Sequence, residues 1–179
     1  VIKAILDNIG RVHGAGTSFL LMAPTGKAAE RIKTQTGKPS KTIHSHLAKT
    51  GWINENFTLK RSGGATDQDY NTIIIDECSM IDLNLFATLL RSINWNSVQR
   101  VILIGDPNQL PPIGRGRVFA DTINWLNVEY PDNVATLLDN IRQLVNTVED
   151  KGHGILDLAE IFIQENQQTE DEDKAAILK

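Results

Sequence analysis

Thr72-Ile73-Ile74-Ile75-Asp76 is the segment that most narrows the fold. Three consecutive isoleucines suit a strand buried on both faces, because a half-exposed strand would alternate apolar and polar residues. Strands of that kind belong to parallel sheets covered by helices. Two more runs share the pattern: Phe19-Leu20-Leu21-Met22-Ala23 stops at Pro24, and Val101-Ile102-Leu103-Ile104 stops at Gly105. Val134-Ala135-Thr136-Leu137-Leu138 reads as a fourth strand. Helical spacing fills the intervals. Residues 1–9 place Val1, Ile2, Ile5, Leu6 and Ile9 on one face, and Gly10, Gly14 and Gly16 then break the chain. Residues 26–35 turn Ala28, Ala29 and Ile32 inward. Residues 82–93 form a helix capped by Asp82, with Leu83, Phe86, Leu89 and Leu90 on its core face. Residues 116–126 and 154–165 also read as helices, and the polar, Gly-rich stretch 50–70 as a surface hairpin or loop. Strands alternating with helices predict an α/β fold with a mainly parallel sheet. The expected organisation is one domain over residues 1–165, followed by an acidic polar linker or tail over 166–179.

The charge is unevenly spread. The formal net charge is -4, which by itself argues against a polyanionic partner. Yet residues 1–61 hold ten Lys and Arg against three Asp and Glu, while the remainder holds eight against nineteen. That polarity points back toward an anionic ligand on the first third of the chain. No apolar run is long enough to span a bilayer, so no membrane partner is expected. One cysteine, Cys78, forbids an internal disulfide and suits a cytoplasmic protein. It reads as a buried filler. The chain starts at Val1, as a piece of a longer protein would.

In α/β sheets the chemistry gathers at the carboxyl ends of the strands. Asp76 and Glu77 stand at such an end, and adjacent residues there point different ways. One carboxylate suits a hydrated magnesium ion; the other suits a water that attacks a phosphoryl group. A plain acidic helix cap is the alternative reading of the pair. Gly105-Asp106-Pro107-Asn108-Gln109 ends the next strand in a proline-stiffened loop, where the Gln109 amide could donate to a terminal phosphate and accept from a water. Pro24-Thr25-Gly26-Lys27-Ala28 looks like the end of a P-loop but is not one. Leu21 stands where the first Gly belongs, and Ala28 where the magnesium-binding hydroxyl belongs. A free helix N-terminus beside a lysine still suits a phosphodiester. In Thr42-Ile43-His44-Ser45-His46 the two histidines are two apart, the wrong spacing for one helix face, so backbone contacts to nucleic acid are preferred to zinc. Arg142, just past the fourth run, could reach a phosphate or make a surface salt bridge. Trp52, in the basic third, is the tryptophan to watch for base stacking.

In this order the segments resemble the first motor domain of superfamily 1 DNA helicases, and most of all the RecD-like, exodeoxyribonuclease V alpha-subunit family. Ala23 to Arg31 resembles its motif Ia, Thr42-Ile43-His44 its Thr-x-His element, Asp76 to Met80 its motif II, Gly105 to Gly116 its motif III, and Asn140-Ile141-Arg142-Gln143 its motif IV. Ile141 stands where the family usually has an aromatic residue. The resemblance implies a RecA-like P-loop NTPase fold whose P-loop and strand would precede Val1. It implies ATP and Mg2+ as cofactors and single-stranded DNA as partner, with other subunits of a helicase–nuclease complex as further partners. It implies roles in DNA repair and recombination. It assigns Asp76 to magnesium, Glu77 to the general base, and Gln109 and Arg142 to the γ-phosphate, with Gly105 and Asp106 in the nucleotide site. It assigns Pro24, Thr25, Gly26, Lys27, Thr42 and His44 to DNA. Without a P-loop the isolated chain is expected to be inactive. A non-catalytic binding module derived from the same fold is the alternative.

Overall fold

The computed structural model describes residues 1–14 and 16–137. Chain contacts divide it into Val1–Asn133 and Val134–Lys179. In the first unit, α1 (Ile2–His13), β1 (Phe19–Ala23), α2 (Gly26–Thr36), β2 (Lys41–Thr42) and α3 (Ile43–Lys49) precede β3 (Thr72–Ile75), α4 (Leu83–Ser92), β4 (Arg100–Leu103) and α5 (Val118–Glu129). The four strands form one parallel sheet in the order β2-β1-β3-β4. Leu20 pairs with Ile73 and Met22 with Ile75 across β1 and β3, while Ile73 pairs with Val101 across β3 and β4.

The isoleucine run is buried at every position, as its pattern predicts. Successive side chains enter opposite faces of the sheet. Leu20, Met22, Ile73 and Ile75 pack with Ile43, Leu47, Leu85, Leu89 and Phe119. Leu21, Ala23 and Ile74 pack with Ile2 and Leu6 of α1 and with Ala28, Ala29 and Ile32 of α2. The inward face expected for α2 is thus the observed one. β4 differs from its neighbours: among the described residues it is an edge strand, and Val101 is 41% exposed.

Four expectations need correction. Gly10 does not break α1, which runs on to His13 and ends at Gly14 in a positive-φ conformation. Asp82 caps α4 as expected, its carboxylate accepting from Leu85 N at 2.9 Å. The core face of α4 keeps Leu89 and the partly buried Phe86 of the expected set, adds Leu85, Thr88 and Ser92, and leaves Leu83 exposed. Thr88 and Ser92 satisfy their hydroxyls on the backbone of their own helix, at Asn84 O and Leu89 O, and so enter the core at little cost. No strand forms over 134–137, where Leu137 is exposed; Leu138 lies outside the described residues. Trp52 is buried rather than offered to a base. Its indole N–H donates to Ala65 O at 2.8 Å and anchors the 50–70 segment, which holds one antiparallel bridge, Ile53 to Leu59.

Candidate active site at the carboxyl end of the sheet

β3 delivers the two carboxylates. Asp76 N still bonds to Met22 O, so Asp76 is held by the ladder and is nearly buried. Glu77 then takes a left-handed conformation, φ 55 and ψ 41, which a non-glycine residue adopts at a cost of about 1–3 kcal/mol. The kink is fastened on both sides: Glu77 N donates to Asp76 Oδ1 at 3.0 Å, and Cys78 N donates to Ile104 O at 2.9 Å. Its result differs from the divergent pair expected of neighbours on a strand. Both carboxylates converge on one nitrogen, Arg31 Nη2, which donates to Asp76 Oδ2 at 3.0 Å and to Glu77 Oε1 at 2.8 Å. Those bonds, to Glu77 first and then Asp76, raise the Arg31 pKa above its ordinary value. Arg31 comes from the second turn of α2, the helix whose N-terminus carries Thr25 and Lys27.

The loop after β4 closes the other side. Asp106 to Gln109 forms a turn, with Gln109 N on Asp106 O at 3.1 Å and Asn108 N on the Asp106 carboxylate at 2.9 Å. Gly105 is required by space: a Cβ there would sit 2.9 Å from the Phe119 ring and 3.1 Å from Cys78 N. Thr25, Lys27, Arg31, Glu77 and Gln109 together line an open cleft of about 780 Å3. Asp76 adjoins it through Arg31. Pro24 is half-buried and Gly26 is exposed.

Thr25 and Thr42 share one task. Each caps the helix that follows, Thr25 Oγ1 accepting from Ala28 N and Thr42 Oγ1 from Ser45 N. Thr42 and the exposed His44 stand at the start of α3 and are not among the residues lining the cleft. Arg142 and the rest of Asn140–Gln143 lie outside the described residues.

The two histidines part ways. His46 is fully buried, with Nε2 2.9 Å from Ser92 Oγ and Nδ1 3.2 Å from Asp67 Oδ2. Burial first, then the charge of Lys41, pushes its pKa down to about 4, so the ring is neutral at pH 7. Ser92 is equally buried and donates to Leu89 O, so this serine–histidine–aspartate set ties α3 to α4 and has no access to a substrate. The Cys78 thiol is buried and pushed up to about 12, which makes it an inert filler as read.

Sequence reasoning missed Arg31 as a site residue. The available signal was its place: in the second turn of a helix that starts just after β1 ends, next to the strand that leads into Asp76.

Residues 1–115 match the AAA domain family. The chain belongs to that family. Within it the resemblance is to RecD-like superfamily 1 helicases. The chain is 38% identical over 114 residues to the ATP-dependent RecD2 DNA helicase of Deinococcus radiodurans, covering 64% of this chain and 14% of that one. It is 29% identical over 177 residues to the RecBCD enzyme subunit RecD of Mycobacterium tuberculosis, covering 89% of this chain and 30% of that subunit. An uncharacterized protein of Methanocaldococcus jannaschii is 31% identical over 171 residues, 91% of this chain and 14% of that protein. The chain therefore spans less than a third of these relatives. Among solved structures, a Bacteroides Pif1 helicase bound to single-stranded DNA aligns over 72% of this chain and 30% of its own, at 24% identity and a TM-score of 0.40. Among the described residues, no helix is long and apolar enough to cross a membrane.

Proposed function

We propose that this chain is part of the first motor domain, over residues 1–165, of a cytoplasmic ATP-dependent DNA helicase that moves on single-stranded DNA, alone or within a helicase–nuclease complex; residues 166–179 would then be a linker or tail. One observation carries the reading: a single cleft joins Glu77 to Gln109 and to Thr25 and Lys27, and Arg31 in its wall bonds both Glu77 and Asp76 just past the end of β3. The relative named an ATP-dependent DNA helicase supports it, and the one named a RecBCD enzyme subunit supports placement in a complex.

The donor set fits magnesium, a hard cation that takes carboxylate oxygens and keeps several waters. Asp76 would hold it through water. Bound with ATP, it would supply charge neutralisation at the phosphates. Glu77 then takes the proton of a water, and Gln109, with Arg142, reads the terminal phosphate beside Gly105 and Asp106. Pro24, Thr25, Gly26, Lys27, Thr42 and His44 hold the DNA backbone. The 179 residues contain no Gly-x-x-x-x-Gly-Lys-Ser/Thr loop, and on this reading the chain by itself would turn over no ATP.

The test is single-stranded DNA binding and ATP turnover by the full-length protein. Lys27→Ala should weaken oligonucleotide binding and lower the slope of log affinity against log salt by about 1, as the loss of one phosphate contact requires. A full-length protein that neither binds single strands nor turns over ATP in their presence contradicts the proposal.

A further inference from the structure

Arg31 occupies the two carboxylates that the proposed reaction needs, and it does so from the helix proposed to hold DNA. A guanidinium carries five N–H donors, yet one nitrogen, Nη2, makes both carboxylate bonds. The side chain stays 42% exposed and lines the cleft together with Lys27. An anion that enters the cleft can therefore reach the guanidinium. A divalent cation at Asp76 and the Arg31 guanidinium compete for the same oxygens, since two cations at that spacing repel. A phosphate in the cleft competes for Arg31 from the other side.

The geometry points to Arg31 as a positioning residue that holds Asp76 and Glu77 until a nucleic-acid phosphate draws its guanidinium away and opens them to a metal ion. This rests on the helicase reading above. It makes DNA binding and metal binding favour one another, and linkage requires the effect to be reciprocal.

The experiment is a Mn2+ titration of the full-length protein, followed by electron paramagnetic resonance without nucleotide, with and without a single-stranded oligonucleotide. In the wild type the oligonucleotide should tighten Mn2+ binding by about fivefold or more, a common size for coupled sites. Arg31→Gln should bind Mn2+ that tightly with no oligonucleotide and respond little to its addition. Adding Asp76→Asn should remove the gain, which places the ion on this carboxylate. Arg31→Lys keeps a charge but not the fork and should recover part of the wild-type behaviour. Unchanged Mn2+ affinity in folded Arg31→Gln, or in folded Arg31→Ala where the glutamine variant does not fold, overturns the inference. ATP turnover separates the two claims. Turnover that needs DNA and Glu77, together with unchanged Mn2+ affinity in the Arg31 variants, leaves the helicase reading standing and sinks this one.

Discussion

Two charged clusters in this molecule are built from similar parts and do opposite things. Asp67 sits among His46, Lys41 and Lys49, with Tyr70 also in reach. Asp76 and Glu77 sit against Arg31. The first cluster is closed: His46 and Ser92 are fully buried, and the Asp67 carboxylate also accepts from Gln68 N at 2.8 Å. The second is held by one guanidinium nitrogen beside an open cleft. The difference teaches that acid–base residues at bonding distance mark chemistry only where a substrate has room. A serine–histidine–aspartate set sealed in a core is a fastener.

Substitutions should split along that line. The largest effect belongs to the open cluster. Glu77→Gln is isosteric and should cost on the order of 10²–10⁴ in ATP turnover of the full-length protein, the usual worth of a general base, while the melting temperature stays near that of the wild type. His46→Ala should do the reverse. It leaves a cavity and strips partners from Asp67 and Ser92, so a loss of about 2–4 kcal/mol is expected in denaturant unfolding, with Mn2+ binding at Asp76 unchanged.

pH sharpens the same contrast. The folded pKa of His46 lies at about 4, below its ordinary 6.5, so the fold favours the neutral ring. Stability is full above pH 6.5 and falls as pH drops toward 4, by on the order of 3 kcal/mol over that interval. Asp67, also lowered, adds to the loss only at more acidic pH. His46→Gln should flatten the slope of unfolding midpoint against pH between 6.5 and 4; an unchanged slope would mean that another group carries it.

Smaller effects test the walls of the cleft. Gly105→Ala pushes a methyl to 2.9 Å from the Phe119 ring and should cost about 1–3 kcal/mol, read by thermal melting, with some loss of turnover as the Gln109 loop shifts. Lys33→Ala breaks only an exposed pair with Glu30 and should stay within about 0.5 kcal/mol by the same measurement.

Much of this was legible in the sequence because the strands are buried on both faces. Ile73 to Ile75 and Leu20 to Ala23 announce themselves by composition, and the carboxylates follow at the strand end. Ala28, Ala29 and Ile32 show the inward face of α2 because only apolar residues occupy it. The pattern finds Leu89 and Phe86 on the core face of α4 but not Thr88 and Ser92, whose hydroxyls are satisfied locally and which a hydrophobic pattern does not register. The apolar residues of 134–138 predict a strand, but a strand also needs a neighbour to pair with, and 134–137 form none. The convergence of Asp76 and Glu77 depends on one left-handed residue, and Arg31 reaches them across 45 positions of sequence. Neither is a local property. Trp52 was watched for DNA because it lies among basic residues; its burial is set by Ala65 and Gly64, which follow it in a segment with little pattern of its own.

The most direct test of the account is ATP turnover of the full-length protein with saturating single-stranded DNA, wild type against Glu77→Gln. Turnover that rises with DNA in the wild type and falls by about a hundredfold or more in the folded variant is the predicted result. Equal turnover in the two proteins, or none in the wild type, would contradict it.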